Sequence, residues 1–315
     1  MSHELKTGGE RGYLRIATEE AFATREQIDC YLRMVKDGSA DRGMMSLWGF
    51  YARSPSERAT LILERLLDLG AQRLRHMDET GIDRAILALT APGAQALWDV
   101  GEARGLAQRA NDYLAEHVAA HPTRYVGMTT VAPQDPEWSG REIVRGARDL
   151  NFKGVQINSH THGEYLDHPK FDPIFRSLAD TGQPLYIHPQ TPPDGMIGPM
   201  LEAGLDGAIF GFGVEVGLHL LRLIVSGIFD RYPELQIMDR ATTMAIVNRL
   251  EAKGYLTRSK SSSDARKQAL NLTDAGRRAL ASAKRAIQQH EHWLKSRFNK
   301  KEVAKLIELL TRIHE

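Results

Sequence analysis

An α/β fold is what three features of this 315-residue sequence predict: an incomplete TIM-type (β/α) barrel of about six strands, then a partial winged helix-turn-helix with long C-terminal helices. Short apolar runs alternate with helical patterns over residues 1–238, and the alternation then stops. Residues 239–315 carry a helix, hairpin, helix pattern instead. The charge splits at the same place. From Asp239 onward there are 17 Lys and Arg against 8 Asp and Glu, which leaves 24 against 32 before it, out of totals of 41 and 40. The net +1 therefore hides an acidic segment and a basic one, and two modules with different partners are expected.

Six runs read as buried parallel strands, which are nearly continuous in apolar residues. They are Tyr13–Thr18, Arg84–Thr90, Tyr125–Val131, Gly154–Asn158, Leu185–His188 and Leu235–Met238. Helical patterns fill the gaps. Ser56–Thr80 places Ile62, Leu66, Leu69, Leu74 and Met77 on one side, and Gly81 stops it. Ala103–Ala120, Glu137–Leu150, Asp172–Thr181 and Glu215–Phe229 precede the later strands. A doubly wound sheet is the alternative to the barrel. No Gly-x-Gly-x-x-Gly opens the first helix, which disfavours dinucleotide binding.

Composition excludes other classes. Cys30 is the single cysteine, so neither a disulfide framework nor a Cys-Cys metal knuckle is available. No apolar run nears the ~20 residues that span a bilayer. Met1–Arg11 has no signal-peptide core. A soluble cytoplasmic protein without a membrane partner is the expectation.

In the basic segment, Ala241–Lys253 reads as an amphipathic helix with Met244, Val247 and Leu250 on one face, ended by Gly254. Tyr255–Ser259 and Lys267–Leu272 are strand candidates around a Ser-rich basic loop. Thr273 is placed to cap a long helix. Asn299 and Glu302 have capping-box spacing for a last helix, whose stripe of Val303, Leu306, Ile307, Leu310 and Ile313 suits self-association into a homo-oligomer.

Particular motifs carry a resemblance. They are Ala17-Thr18-Glu19-Glu20-Ala21-Phe22, Ser46-Leu47-Trp48-Gly49-Phe50-Tyr51, Thr130-Val131-Ala132-Pro133-Gln134-Asp135-Pro136, Gly154-Val155-Gln156-Ile157-Asn158-Ser159-His160, Pro184-Leu185-Tyr186-Ile187-His188-Pro189 and Gly207-Ala208-Ile209-Phe210-Gly211-Phe212. Through them residues 1–238 resemble the metal-dependent decarboxylases of the amidohydrolase superfamily, of the 5-carboxyvanillate and γ-resorcylate type. The resemblance implies non-oxidative loss of CO₂ from a hydroxy or methoxy aromatic acid. It makes Glu19, at the end of the first strand, and His188, at the end of the fifth, ligands of a divalent metal, Mn²⁺ ahead of Zn²⁺. From the residues alone, Glu19 suits a ligand or a rim ion pair equally, and a lone His is more often a core or rim residue.

Arg58, Tyr51, Leu47 and Phe212 match substrate-pocket positions. A guanidinium can grip the carboxylate of an aromatic acid, and rings and Leu47 can pack against its phenyl group. A helix-start ion pair is the alternative for Arg58, and the core is the alternative for Leu47 and Trp48. His160 and His162 read as loop or pocket lining. Asn158 suits a hydrogen bond to a loop.

The resemblance also calls for a His ending strand six and an Asp from strand eight. Here Asp239-Arg240-Ala241 follows Met238. Residues 239–315 resemble the MarR family of transcriptional regulators instead, through Arg249-Leu250-Glu251-Ala252-Lys253-Gly254-Tyr255-Leu256, Asp264-Ala265-Arg266 and Leu272-Thr273-Asp274-Ala275-Gly276-Arg277. That implies DNA contacts within residues 240–267, by Thr242, Thr243, Asn248 and Arg249 in the major groove and Arg266 in the minor groove. Both patterns break off near Met238–Arg240. The expectation is a fusion of two incomplete genes with impaired decarboxylation. A DNA-binding regulator module and a non-functional fusion are the alternatives.

Overall fold

The structure, a computed structural model, describes residues 14–238, 251–260, 268–279, 302 and 305. The chain divides into two compact units, Met1–Thr242 and Thr243–Glu315.

In the first unit the expected strands form in the expected order. They are β1 (Ile16–Phe22), β2 (Arg84–Leu89), β3 (Tyr125–Gly127), β4 (Thr129–Thr130), β5 (Val155–Ile157), β6 (Leu185–Ile187) and β7 (Ile237–Met238). The strands β3 and β4 are one run interrupted at Met128. The first half pairs with β2 and the second with β5. All pairings are parallel, and the spatial order follows the sequence without reversal. A doubly wound sheet reverses its order at a switch point, so that alternative fails. Curvature decides the rest. Glu19 on β1 and His188 just after β6 approach to 3.4 Å. Four strand spacings in a flat sheet would hold them about 19 Å apart. The sheet therefore curls into the arc of a barrel.

The first strand departs from expectation. It begins at Ile16 and continues through Thr18-Glu19-Glu20, so Glu19 sits mid-strand. An apolar pattern could not extend it, because its inner face is polar. Its register with β2 shifts between Ala17 and Glu20, where two residues oppose Ile86 alone. This bulge sets Glu20 and Phe22 on the face of Leu87 and Leu89, which pack towards the helices. Bulges commonly re-aim side chains beside active sites.

Ten α-helices are described in this unit. In order, α1 is Arg25–Asp37, α2 Arg42–Arg53, α3 Glu57–Leu67, α4 Ala71–Thr80, α5 Val100–Ala120, α6 Pro136–Arg148, α7 Asp172–Thr181, α8 Asp194–Glu202, α9 Gly211–Val225 and α10 Ile228–Arg231. Side-chain oxygens of Thr24, Asp41, Ser56, Asp99 and Asp135 cap α1, α2, α3, α5 and α6. The single helix expected over Ser56–Thr80 is two. The Asp68 carboxylate accepts from the backbone N–H of Gly70 and of Arg73, closing one helix and opening the next. The helices α1, α2 and α8 lie outside the helical patterns read from sequence.

The main core lies between strands and helices. Leu69, Met77, Leu87, Leu114, Tyr125 and Phe152 fill it on one side, and Val155, Ile174, Phe175, Leu185, Val216 and Leu223 on the other. A smaller group, Ala88, Met128 and Tyr186, faces inward. Among the described residues no helix is long and apolar enough to cross a membrane.

In the second unit β8 (Leu256–Lys260) and β9 (Gln268–Leu272) pair antiparallel, as the sequence suggests. Thr273 caps the helix that follows, its Oγ1 accepting from Gly276 N–H at 3.0 Å. Thr242, Thr243, Asn248, Arg249 and Arg266 lie outside the described residues, as does the last helix's stripe.

Candidate metal centre

Two side chains from distant parts of the chain meet inside the arc. His188 leaves the carboxyl end of β6, held by its backbone N–H on the Ile157 carbonyl at 2.9 Å. The ring of Tyr186 lies against it edge-on, centroids 5.9 Å apart. The bulge brings Glu19 opposite. His188 Nε2 and Glu19 Oε1 are 3.4 Å apart, with the side chains 21% and 28% exposed. That is long for a hydrogen bond, which needs about 2.7–3.2 Å. It suits two donors of one cation. Bonds of about 2.1 Å place ligand atoms roughly 3.0–3.4 Å apart at octahedral to tetrahedral angles. Imidazole and carboxylate together suit Mn²⁺ or Zn²⁺. Among the described residues no group of three or more His, Cys, Asp and Glu side chains forms a metal-binding cluster.

The expected pocket residues lie on segments that follow strands at their carboxyl ends, where barrel sites gather. Arg58 is exposed on the first turn of α3 and makes no ion pair among the described residues, so the helix-start pair is not formed. Tyr51 is half-buried beside Trp48 and Phe50. Leu47 packs against the core around Trp48, which is buried with its Nε1–H donated to the Ala91 carbonyl. Phe212 is half-buried on the first turn of α9. Ser46, in the motif with Leu47, donates to Asp206 at 2.7 Å and ties α2 to the loop before α9.

The loop after β5 is fixed by polar groups. Gln95 accepts from Asn158 N–H at 2.6 Å and donates to Asn158 O, His160 O and Thr161 Oγ1. It is the Asn158 backbone that Gln95 holds, while the Asn158 side chain accepts from Gln156 Nε2 at 3.0 Å and so faces its own strand instead of the expected loop. His160 is buried with Nε2 on the Thr191 carbonyl, and burial lowers its pKa. His162 stacks on Trp98. Both are loop residues here.

Sequence reasoning missed a buried cluster beneath this loop. Leu166 N–H donates to His219 Nε2, leaving Nδ1 to donate to Ser159 Oγ at 3.0 Å. Ser159 in turn donates to Glu215 Oε1 at 2.8 Å. Burial pushes Glu215 up to about 8 and His219 down to about 3. Three residues of a nucleophilic triad are present but wired wrongly. The serine hydroxyl donates its hydrogen bond to the Glu215 carboxyl, not to the imidazole, and all three are sealed from solvent. A signal existed: Glu215 and His219 stand four apart in a helix that is otherwise apolar but for Arg222.

Residues 88–238 match the family model described as Amidohydrolase. The chain is similar to the crystal structure of 5-carboxyvanillate decarboxylase from Novosphingobium aromaticivorans, complexed with manganese and 4-hydroxy-3-methoxy-5-nitrobenzoic acid. Identity is 70%, TM-score 0.77, over 80% of this chain and 72% of that one. It is 37% identical to the γ-resorcylate decarboxylase of Polaromonas sp. over 71% of this chain and 65% of that protein. The chain spans 55–65% of the length of the γ-resorcylate decarboxylases it matches. A stretch of 77 residues, 24% of the chain, is 34% identical to a Thauera aromatica protein named "Putative transcriptional regulatory protein for hcr operon", over 46% of it.

Proposed function

We propose, from the premise that this chain belongs to the amidohydrolase family with the aromatic-acid decarboxylases, that Glu19 and His188 hold a divalent metal for an aromatic carboxylic acid. The 3.4 Å approach of their donor atoms carries the reading. When bound, the metal polarises the carboxylate oxygen it meets. Arg58 grips the carboxylate, and Tyr51, Leu47 and Phe212 pack the ring, of 5-carboxyvanillate type. The reaction is loss of CO₂ with a proton delivered to the ring carbon. Asp239-Arg240-Ala241 stand where the family resemblance calls for a His, and residues 239–315 follow the MarR-like pattern in place of the strand-eight Asp that the resemblance makes a metal ligand and proton carrier, so turnover is impaired. Single-turnover CO₂ release from 5-carboxyvanillate in the presence of Mn²⁺ is expected at least about a thousandfold below that of an intact relative, the scale on which removing a catalytic group acts. Release within tenfold of the relative would sink the impairment.

A second reading concerns the basic unit. We infer that it is a MarR-like DNA-binding module, with Thr242, Thr243, Asn248, Arg249 and Arg266 facing DNA. The described hairpin, the basic excess and the similarity to the Thauera protein favour it. Binding to duplex DNA is expected to weaken linearly in log–log fashion with salt, with a slope of about −0.9 for each phosphate neutralised. Salt-independent or absent retention would remove this reading. A non-functional fusion is what remains if the chain retains neither metal nor DNA.

A further inference from the structure

One hydrogen bond joins the two walls proposed for the aromatic ring. Leu47 and Tyr51 stand four apart on α2 and so share a face of that helix, while Phe212 sits on the first turn of α9. Ser46, beside Leu47, donates to Asp206 Oδ2 at 2.7 Å, across 160 positions of chain. Asp206 is 8% exposed, and among the described residues no other side chain donates to its carboxylate. A hydroxyl on a buried carboxylate is among the stronger hydrogen bonds and is costly to leave unmade.

Both ends of that bond are rigid. On one side, Gly211 N–H donates to Leu205 O at 2.7 Å and Phe212 N–H to Gly207 O at 3.2 Å. A Cβ at Gly211 would lie 2.2 Å from Asp206 O, so the loop closes too tightly for any residue but glycine there. Asp206 and Phe212 therefore move as one body. On the other side, α2 is pressed onto the segment that follows His188. Arg42 N–H donates to Asp194 Oδ1 at 3.2 Å, and a Cβ at Gly43 would lie 2.1 Å from Thr191 Oγ1. The helix is thus fixed against the segment after His188, and the Ser46 bond fixes Phe212 against the helix. We propose, resting on the aromatic-acid reading above, that Ser46 and Asp206 are positioning residues. They set the separation of α2 from the start of α9, and so how tightly a ring is held beside the metal pair.

Titration calorimetry of the manganese-loaded full chain with 5-carboxyvanillate tests it, beside equilibrium dialysis of Mn²⁺ and a thermal melt. Ser46→Ala is expected to weaken 5-carboxyvanillate binding at least about tenfold, a shift of about 1 Å in one wall being enough for that. Mn²⁺ affinity should stay within about twofold, since Glu19 and His188 lie on other segments. Asp206→Asn keeps an oxygen that accepts from Ser46, so it should bind 5-carboxyvanillate nearly as the wild type does. Asp206→Ala should lose as much as Ser46→Ala, and the double variant no more than either, the mark of one shared bond. Equal binding by wild type and Ser46→Ala, parallel losses of Mn²⁺ and 5-carboxyvanillate, additive losses in the double variant, or Asp206→Asn as weak as Asp206→Ala would overturn the proposal alone. A wild-type chain that holds Mn²⁺ but takes up no 5-carboxyvanillate would overturn the pocket reading, and this proposal with it.

Discussion

Replacing His188 by alanine weakens manganese binding by more than about a hundredfold, the loss that even an outer partner of a metal ligand can cause. The proposed site draws on two protein donors, so each carries a large share of the affinity. The change should leave the fold standing. The residue is held by its backbone N–H on Ile157 O, and the side chain is partly exposed. Glu19→Gln keeps the shape of its partner and removes the charge, and a similar loss is expected. Equilibrium dialysis with metal analysis reads both, beside a thermal melt for folding. Manganese retained equally by His188→Ala would place the metal elsewhere.

The buried cluster under the β5 loop sets the second large effect. Folded Glu215 keeps its proton to about pH 8, whereas an ordinary glutamate gives it up near 4.5. Between those values the folded state binds more protons, so this group's stabilisation is lost as pH rises. Folded His219 takes a proton only near pH 3, against an ordinary 6.5. There the unfolded chain binds more, so stability is lost as pH falls. The slopes oppose each other from 4.5 to 6.5 and leave a plateau. From 6.5 to 8 Glu215 acts alone and costs about 2 kcal/mol, or roughly 4–8 °C in Tm for a unit of this size. Glu215→Gln should abolish that alkaline fall and leave the acid limb. Melting curves from pH 4 to 9 check it, and an alkaline fall unchanged in the variant would contradict the assignment.

How far the sequence reaches depends on what kind of residue does the work. The buried strands announce themselves as Val, Ile and Leu runs, and β2, β5 and β6 appear within a residue or two of expectation. The second half of the first strand is hidden because Thr18, Glu19 and Glu20 are polar, Glu19 facing the site and Glu20 the side of Leu87. The pairing of Glu19 with His188 came from family resemblance. Nothing local links residues 169 positions apart. The split of Ser56–Thr80 turned on the Asp68 side chain competing for backbone N–H groups. Gln95, Ser159, Glu215 and His219 follow no apolar period, since a satisfied buried polar group is defined by partners that only the fold supplies.

The bulge in β1 makes the site more sensitive to register than to chemistry. Which of the adjacent carboxylates Glu19 and Glu20 looks inward is set by the extra residue against Ile86. Were Thr18 alone to pair with Ile86, Glu19 would stand opposite Leu87, and the two carboxylates would exchange faces without either being altered. A lineage carrying this strand can vary the residues around the pair freely, yet a one-residue slip between Ala17 and Glu20 turns the wrong carboxylate inward.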